Sequence, residues 1–132
     1  MTMRRAACSC GQLQVVCTGE PVRLSMCHCL ACQRRTGSVF GVQARFRRQD
    51  VSMEGRSTAF TRVADSGNSV TSYFCPACGS TVYWDLNALP DFVAVAVGAF
   101  ADPSFPAPKV SVYEARRHAW ALPTGIELEH MD

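Results

Sequence analysis

Seven of the eight cysteines in this chain fall into three short clusters, a spacing at which thiolates bind metal ions. The outer two clusters are turns of the form C-x-C-G and C-P-x-C-G, and the middle one is the run C-H-C-x-x-C. The clustered cysteines are Cys8, Cys10, Cys27, Cys29, Cys32, Cys75 and Cys78. A glycine after the second cysteine permits the positive φ that such a turn often needs. The pattern predicts zinc binding.

Counting the cysteines in each cluster indicates two separate metal sites. The two outer turns together supply four, which is the closed tetrahedral set of a structural zinc site. The middle run supplies three and leaves one coordination position for water or a substrate thiol, as a reactive zinc site requires. An alternative pairing joins one outer turn to the middle run, but the other outer turn is then left without a partner.

Two further residues could close the middle site and make it structural. His28 lies between two of the predicted ligands, so we expect its side chain to point away from theirs. Cys17 alternates with Leu13 and Val15 along a predicted strand, which favours a place in the core. Disulfides are the remaining alternative for the outer turns, and a reducing compartment disfavours them.

The composition is typical of a compact globule. Charged residues make up 18% of the 132 positions and apolar residues 48%, so long disorder is not expected. The N-terminal segment lacks the apolar run of a signal peptide, and the longest apolar run, residues 92–101, is about half as long as a membrane helix. We therefore expect a single zinc-binding domain over residues 1–132, in the cytoplasm and without a membrane partner.

Charge is divided unevenly along the chain. Residues 1–62 contain ten arginines and three acidic residues, whereas residues 63–132 contain three basic and eight acidic residues, for a net charge of +2 overall. The fork of an arginine side chain suits carboxylate or phosphate ligands. The arginine-rich half therefore favours an anionic ligand or partner.

The elements that must position these residues are predicted to be mostly strands. A helix is expected only at Leu30–Thr36, ended by Gly37, with a further turn near residues 116–120. Alternation and β-branched or aromatic runs predict strands at residues 12–18, 39–46, 57–64, 69–74, 81–84, 92–97 and 109–113. The continuous apolar run at 92–97 fits a strand buried on both faces. The fold class is therefore mainly β, with small coiled sheets.

These motifs resemble those of the glutathione-dependent formaldehyde-activating enzymes, a family that shares a domain with centromere protein V. The likeness covers nearly the whole chain and includes the three cysteine clusters in the family's order. Its other parts are Arg34-Arg35-Thr36-Gly37-Ser38, Val95-x-Val97-Gly98, a proline-rich loop and Val112-Tyr113…Trp120. The resemblance implies an Mss4-like fold of several small coiled β-sheets around a structural zinc.

The resemblance also assigns roles to the cysteines. It places the structural zinc ligands at Cys8, Cys10, Cys75 and Cys78. It places the catalytic zinc ligands at Cys27, Cys29 and Cys32. The activity implied is the reversible addition of glutathione to formaldehyde, which gives S-hydroxymethylglutathione and is carbon–sulfur lyase chemistry. The expected partner is therefore glutathione or a similar small thiol.

Four residues after the last middle cysteine are candidates for substrate binding. Arg34 and Arg35 are predicted to pair with carboxylates, because glutathione carries two and arginine binds them bidentately. Thr36 and Ser38 are weaker candidates for hydrogen bonds. The simpler interpretation is that both arginines are solvated on a short helix. No general base is evident, and water or His28 would have to serve.

The main alternative function is a non-catalytic, zinc-stabilised module that binds protein or nucleic acid. The arginine-rich half could face an anionic partner. The arginines are scattered, however, and no stacking motif such as the RNA-recognition signature is present, so nucleic acid is disfavoured. A zinc-dependent exchange factor or chaperone of the Mss4 type is a third possibility, by analogy of fold alone.

Overall fold

The computed structural model describes residues 1–132, and β-strands form most of its regular structure. The single α-helix is α1 (Leu30–Thr36), and three short 3-10 turns lie at Arg48–Asp50, Val97–Phe100 and Glu114–Arg116. The strands in chain order are β1 (Met3–Ala7), β2 (Gln14–Thr18), β3 (Arg23–Cys27), β4 (Gly41–Arg47), β5 (Val51–Glu54), β6 (Thr58–Val63), β7 (Ser69–Phe74), β8 (Thr81–Leu86), β9 (Phe92–Ala96), β10 (Val110–Val112) and β11 (Glu129–His130). The prediction of a mainly β chain is confirmed.

The strands form two sheets. The smaller one has three antiparallel strands in the order β1-β2-β5, and the larger has eight in the order β11-β10-β3-β4-β9-β8-β7-β6. In the larger sheet β10 runs parallel to β3 and β11, whereas the remaining pairs are antiparallel. The strand β3 therefore lies inside the larger sheet, with one neighbour on each side.

The two faces of the larger sheet differ in their surroundings. On one face Phe46 and Val95 join residues of the smaller sheet, such as Val15, in the main hydrophobic core. On the other face Trp84 and Ala94 belong to a second, smaller apolar cluster. The strand β9 contributes alternate residues to both clusters, and this confirms that its apolar run is buried on both faces.

Some elements match the sequence-based prediction and others were missed. The helix α1 begins and ends where it was expected, and Gly37 ends it with φ 70° while its N–H donates to Gln33 O at 2.8 Å. The strands β1, β3, β5 and β11 were not predicted. The segments of β1 and β3 contain no β-branched residue, so their extended form depends on pairing with distant strands rather than on local propensity.

Cys17 lies in the core, as expected from its position in a strand. Its side chain is fully buried in the main hydrophobic cluster. Burial raises the pKa of the Cys17 thiol to about 12, although the charge of Arg4 opposes the shift. Cys17 is therefore an uncharged thiol at neutral pH.

No helix of the chain has the length and hydropathy needed to cross a bilayer.

We predict that Cys17 resists alkylation in the folded protein. Thiolates are the reactive species, and this thiol is both buried and held protonated. Iodoacetamide at pH 8 followed by mass spectrometry should leave Cys17 unmodified in the native protein and modify it fully in guanidinium. Labelling of native Cys17 at the rate of an exposed thiol would contradict its place in the core.

Candidate metal centres

The two outer turns meet at one point, although about seventy residues of sequence separate them. The Sγ atoms of the four cysteines all lie within 4.8 Å of one another, and those of Cys10 and Cys75 are 3.6 Å apart. Four sulfurs at about 2.3 Å around a zinc ion would be separated by about 3.8 Å in a tetrahedron. The members of this outer cluster are Cys8, Cys10, Cys75 and Cys78. Its donors fit a closed, four-coordinate zinc site.

Glycines and backbone amides shape the two outer turns. Gly11 and Gly79 have φ values of 84° and 82°, the conformation that the sequence led us to expect after each second cysteine. The amide of Leu13 donates to Cys8 Sγ at 3.3 Å, and that of Ala77 donates to Cys75 Sγ at 3.4 Å. Although burial opposes the shift, hydrogen bonds from Gln12 and from the backbone amides of the turn lower the pKa of the Cys75 thiol, which favours the deprotonated form that a metal ligand needs.

Gln12 supports the outer cluster and was not singled out from the sequence. Its Nε2 donates to Cys75 Sγ at 2.9 Å and to the carbonyl of Arg56 at 2.8 Å. Its Oε1 accepts from the Arg56 amide at 2.9 Å. A second link joins the turns where Ser9 Oγ and Ser80 Oγ lie 2.9 Å apart. These contacts orient the ligands from outside the cluster.

The middle cluster is built where β3 runs into α1. Cys27 is the last residue of β3, Cys29 caps the N-terminus of α1, and Cys32 lies in the first turn of α1. Their Sγ atoms lie within 4.8 Å of one another, and no fourth cysteine, histidine or carboxylate joins them. Hydrogen bonds from the thiols of Cys27 and Cys32 lower the pKa of Cys29. This set fits a metal held by three protein ligands.

His28 points away from the middle cluster. Its ring is fully buried, and its Nε2 lies 2.9 Å from Ser111 Oγ on β10. Its amide donates to the carbonyl of Val112 at 3.1 Å. The histidine thus anchors the ligand loop to β10 and is not a fourth ligand. Cys17 is also remote from the site, in the core.

A cavity of about 890 Å³ lies next to the middle cluster, over the face of the larger sheet opposite the main core. All three middle cysteines border it, and its volume is typical of small-molecule sites. Two aspartates, Asp65 and Asp132, also lie in its wall. Its arginines are Arg23, Arg34, Arg35, Arg45 and Arg62. None of these five forms a salt bridge with an acidic side chain.

Arg35 is held over an aromatic ring. Its guanidinium carbon lies 4.2 Å from the centroid of Trp84, and its Nη2 is buried without a hydrogen-bond partner. Gly41 leaves the space for this side chain, because a Cβ there would lie 2.6 Å from Arg35 Nη2. Neither Trp84 nor Gly41 was singled out from the sequence, since the contact joins β8, β4 and α1.

Of the four residues predicted to bind substrate, two border the cavity and two do not. Arg34 is exposed and, with Arg35, borders the cavity. Thr36 and Ser38 do not border it. Instead, Thr36 Oγ1 donates to the carbonyl of Cys32 at 2.9 Å and accepts from the Ser38 amide at 3.0 Å. These two residues shape the C-terminal end of α1.

The chain is similar to a known family and to a solved structure. The family model described as glutathione-dependent formaldehyde-activating enzyme matches residues 3–116. A crystal structure of a Rhodobacter sphaeroides protein superposes with a TM-score of 0.57 at 20% sequence identity, covering 72% of this chain and 85% of that one. That likeness is one of fold. No curated protein matches the sequence.

We predict that the two clusters differ in their effect on stability. Structural zinc contributes on the order of 10 kcal/mol, which is comparable to the stability of a whole domain. Cys75→Ser should therefore unfold the chain, whereas Cys29→Ser should keep the fold and lose only the second metal. Circular dichroism with zinc analysis of both variants would test this, and equal unfolding of the two would contradict the division of roles.

We also predict that Gly41→Ala displaces Arg35. The added methyl group would collide with the guanidinium and expose the Trp84 ring, which is otherwise buried. In a Trp120→Phe background, the emission of Trp84 should shift to longer wavelength in Gly41→Ala and in Arg35→Ala alike. Gly98→Ala is the matched control, because a Cβ there meets nothing within 4 Å. A red shift in Arg35→Ala but not in Gly41→Ala would contradict the steric argument.

Proposed function

Because the chain belongs to the glutathione-dependent formaldehyde-activating enzyme family, we propose that it adds glutathione, or a similar small thiol, to formaldehyde or a related small electrophile. The reverse reaction would make it a carbon–sulfur lyase of the S-(hydroxymethyl)glutathione synthase type. The observation that carries the proposal is the position of the middle cluster. Its three cysteines border a cavity whose arginines have no acidic partner.

The middle cysteines would hold a catalytic zinc ion. Cys27, Cys29 and Cys32 offer three soft ligands, which suit zinc, and they leave the cavity side free for a small molecule. When bound, zinc lowers the pKa of a thiol ligand and so supplies a nucleophilic thiolate near neutral pH. The outer cluster would hold a second, structural zinc ion.

The arginines of the cavity would bind and orient the substrate. Glutathione has two carboxylates, and arginine binds carboxylates through two parallel hydrogen bonds. Arg35 is already fixed in place by its contact with Trp84, so little conformational freedom is lost on binding. Arg34 is more exposed and would act at the mouth of the cavity. Binding of the carboxylates by these arginines would bring the glutathione sulfur near the middle cluster.

The covalent step needs no redox partner. The thiol gives up its proton, the sulfur forms a bond with the carbonyl carbon, and the π electron pair of the carbonyl moves to oxygen, which takes a proton. One proton is released and one is taken up, so the addition is balanced. His28 is turned toward Ser111 and away from the cysteines, so we assign the proton exchange to water in the cavity.

The surroundings of the site favour catalysis over a purely binding role. A module for nucleic acid or an acidic protein would present its arginines as an exposed basic patch, whereas five of the arginines here lie in one cavity beside the cysteines. All eight cysteines are free. We therefore place the reaction in a reducing compartment, the cytoplasm, where thiols persist.

We expect two zinc ions per chain and faster exchange between formaldehyde and its glutathione adduct than in the uncatalysed reaction. Exchange measured by NMR should fall to the uncatalysed rate in Cys29→Ser, which keeps one zinc ion. Cys17→Ala is the matched control, because it removes a cysteine outside both clusters and should retain the exchange rate. A zinc-loaded wild-type protein that gives no acceleration would remove this assignment.

A further inference from the structure

We propose that Arg23 and Arg45 together form a carboxylate-binding subsite in the cavity, at the end away from the three middle cysteines. This inference rests on the proposed function, because it concerns how that cavity selects its thiol. The subsite would take the carboxylate that lies farther from the sulfur. It would thereby favour an acidic thiol over a short neutral one.

The two arginines face each other across neighbouring strands. Arg23 on β3 is directly opposite Arg45 on β4 in the antiparallel register, so their Cα atoms are about 5 Å apart. Both side chains border the cavity. Like charges in this arrangement repel each other and destabilise a sheet. The pair is therefore not explained by the stability of the fold.

The strand geometry sets the distance from the reaction centre. Arg23, Ser25 and Cys27 are alternate residues of β3, and all three border the cavity. Four residues of an extended strand span about 13 Å. A flexible arginine side chain can shorten that distance, so the subsite fits a ligand that has its sulfur at one end and a carboxylate several bonds away.

Neither arginine is neutralised by the protein. Neither forms a salt bridge, and the Nε of Arg45 is buried without a hydrogen-bond partner. Burial and the charge of Arg23 lower the pKa of Arg45. A buried donor without a partner is costly, and an arriving carboxylate would accept its hydrogen bond.

Four of the seven arginines outside the cavity form salt bridges with acidic side chains. Arg4 pairs with Glu20 and Arg48 pairs with Asp85, so acidic partners are available where an arginine serves the fold. The cavity arginines are left unpaired, although acidic residues are nearly as numerous as basic ones in the chain. This contrast points to a ligand as the missing partner of Arg23 and Arg45.

The test uses S-methylglutathione, which keeps both carboxylates but has no free thiol to bind a metal. Isothermal titration of the zinc-loaded protein should detect binding, and Arg23→Gln and Arg45→Gln should each weaken it about tenfold or more. Arg45→Lys should recover part of the affinity, because it restores the charge but not the fork. The diethyl ester of S-methylglutathione, which has no carboxylate, should bind weakly and equally to all variants.

Two controls separate a binding role from a structural one. Arg56→Gln removes the same charge at an exposed position that does not border this cavity, and it should change affinity less than twofold. Thermal unfolding of Arg45→Gln should occur at the same or a higher temperature, because the repulsion with Arg23 is gone. If Arg45→Gln bound less only because it was partly unfolded, its unfolding temperature would be lower than that of the wild type.

The outcomes also separate this inference from the proposed function. If S-methylglutathione does not bind, or binds Arg23→Gln and Arg45→Gln as tightly as the wild type, the subsite is wrong even where adduct exchange is catalysed. If binding depends on the two arginines but formaldehyde exchange is not accelerated, the subsite stands and the proposed reaction fails.

Discussion

The convergence of the four outer-cluster cysteines, from two turns that lie between residues 8 and 78, is the constraint on which the rest of the structure depends. Cys8 and Cys75 belong to the main hydrophobic core as well as to the outer cluster, so the outer cluster and the core are continuous. The turn after β1 and the turn after β7 come from different sheets. A metal held there would fasten the smaller sheet onto the larger one and close a loop from residue 8 to residue 78.

Because the smaller sheet packs on one face of the larger sheet, the two faces of the larger sheet differ in composition. One face packs apolar residues such as Phe46 and Val95 against the smaller sheet. The other face carries Arg23 and Arg45 side by side, an arrangement that lowers stability. Locally unfavourable groups persist at functional sites where the remainder of the structure compensates for them. Here the compensation comes from the core on the opposite face and would be increased by a metal ion in the outer cluster.

Local features were predictable from the sequence, and contacts that depend on strand pairing were not. The cysteine spacing, the end of α1 at Gly37 and the buried run of β9 are encoded within a few neighbouring residues each. The strand β3 is different, because its segment has no β-branched residue and is extended only through its pairing with β4 and β10. The opposition of Arg23 and Arg45 follows from that pairing. The stacking of Arg35 on Trp84 likewise depends on how α1 packs against the sheet.

The cavity arginines also bear on the negative charge that the middle cluster would carry with zinc bound. Three thiolates around a divalent cation leave a net negative charge, and an anionic thiol that approached such a centre would be repelled. Five arginines and only two aspartates border the cavity, so its walls would offset the negative charge of a zinc-loaded centre and of an acidic ligand. In a cavity partly shielded from water, such interactions are stronger than at an open surface. Under the proposed function, the same arginines that would select an acidic thiol would also allow it to approach a centre built from three cysteines.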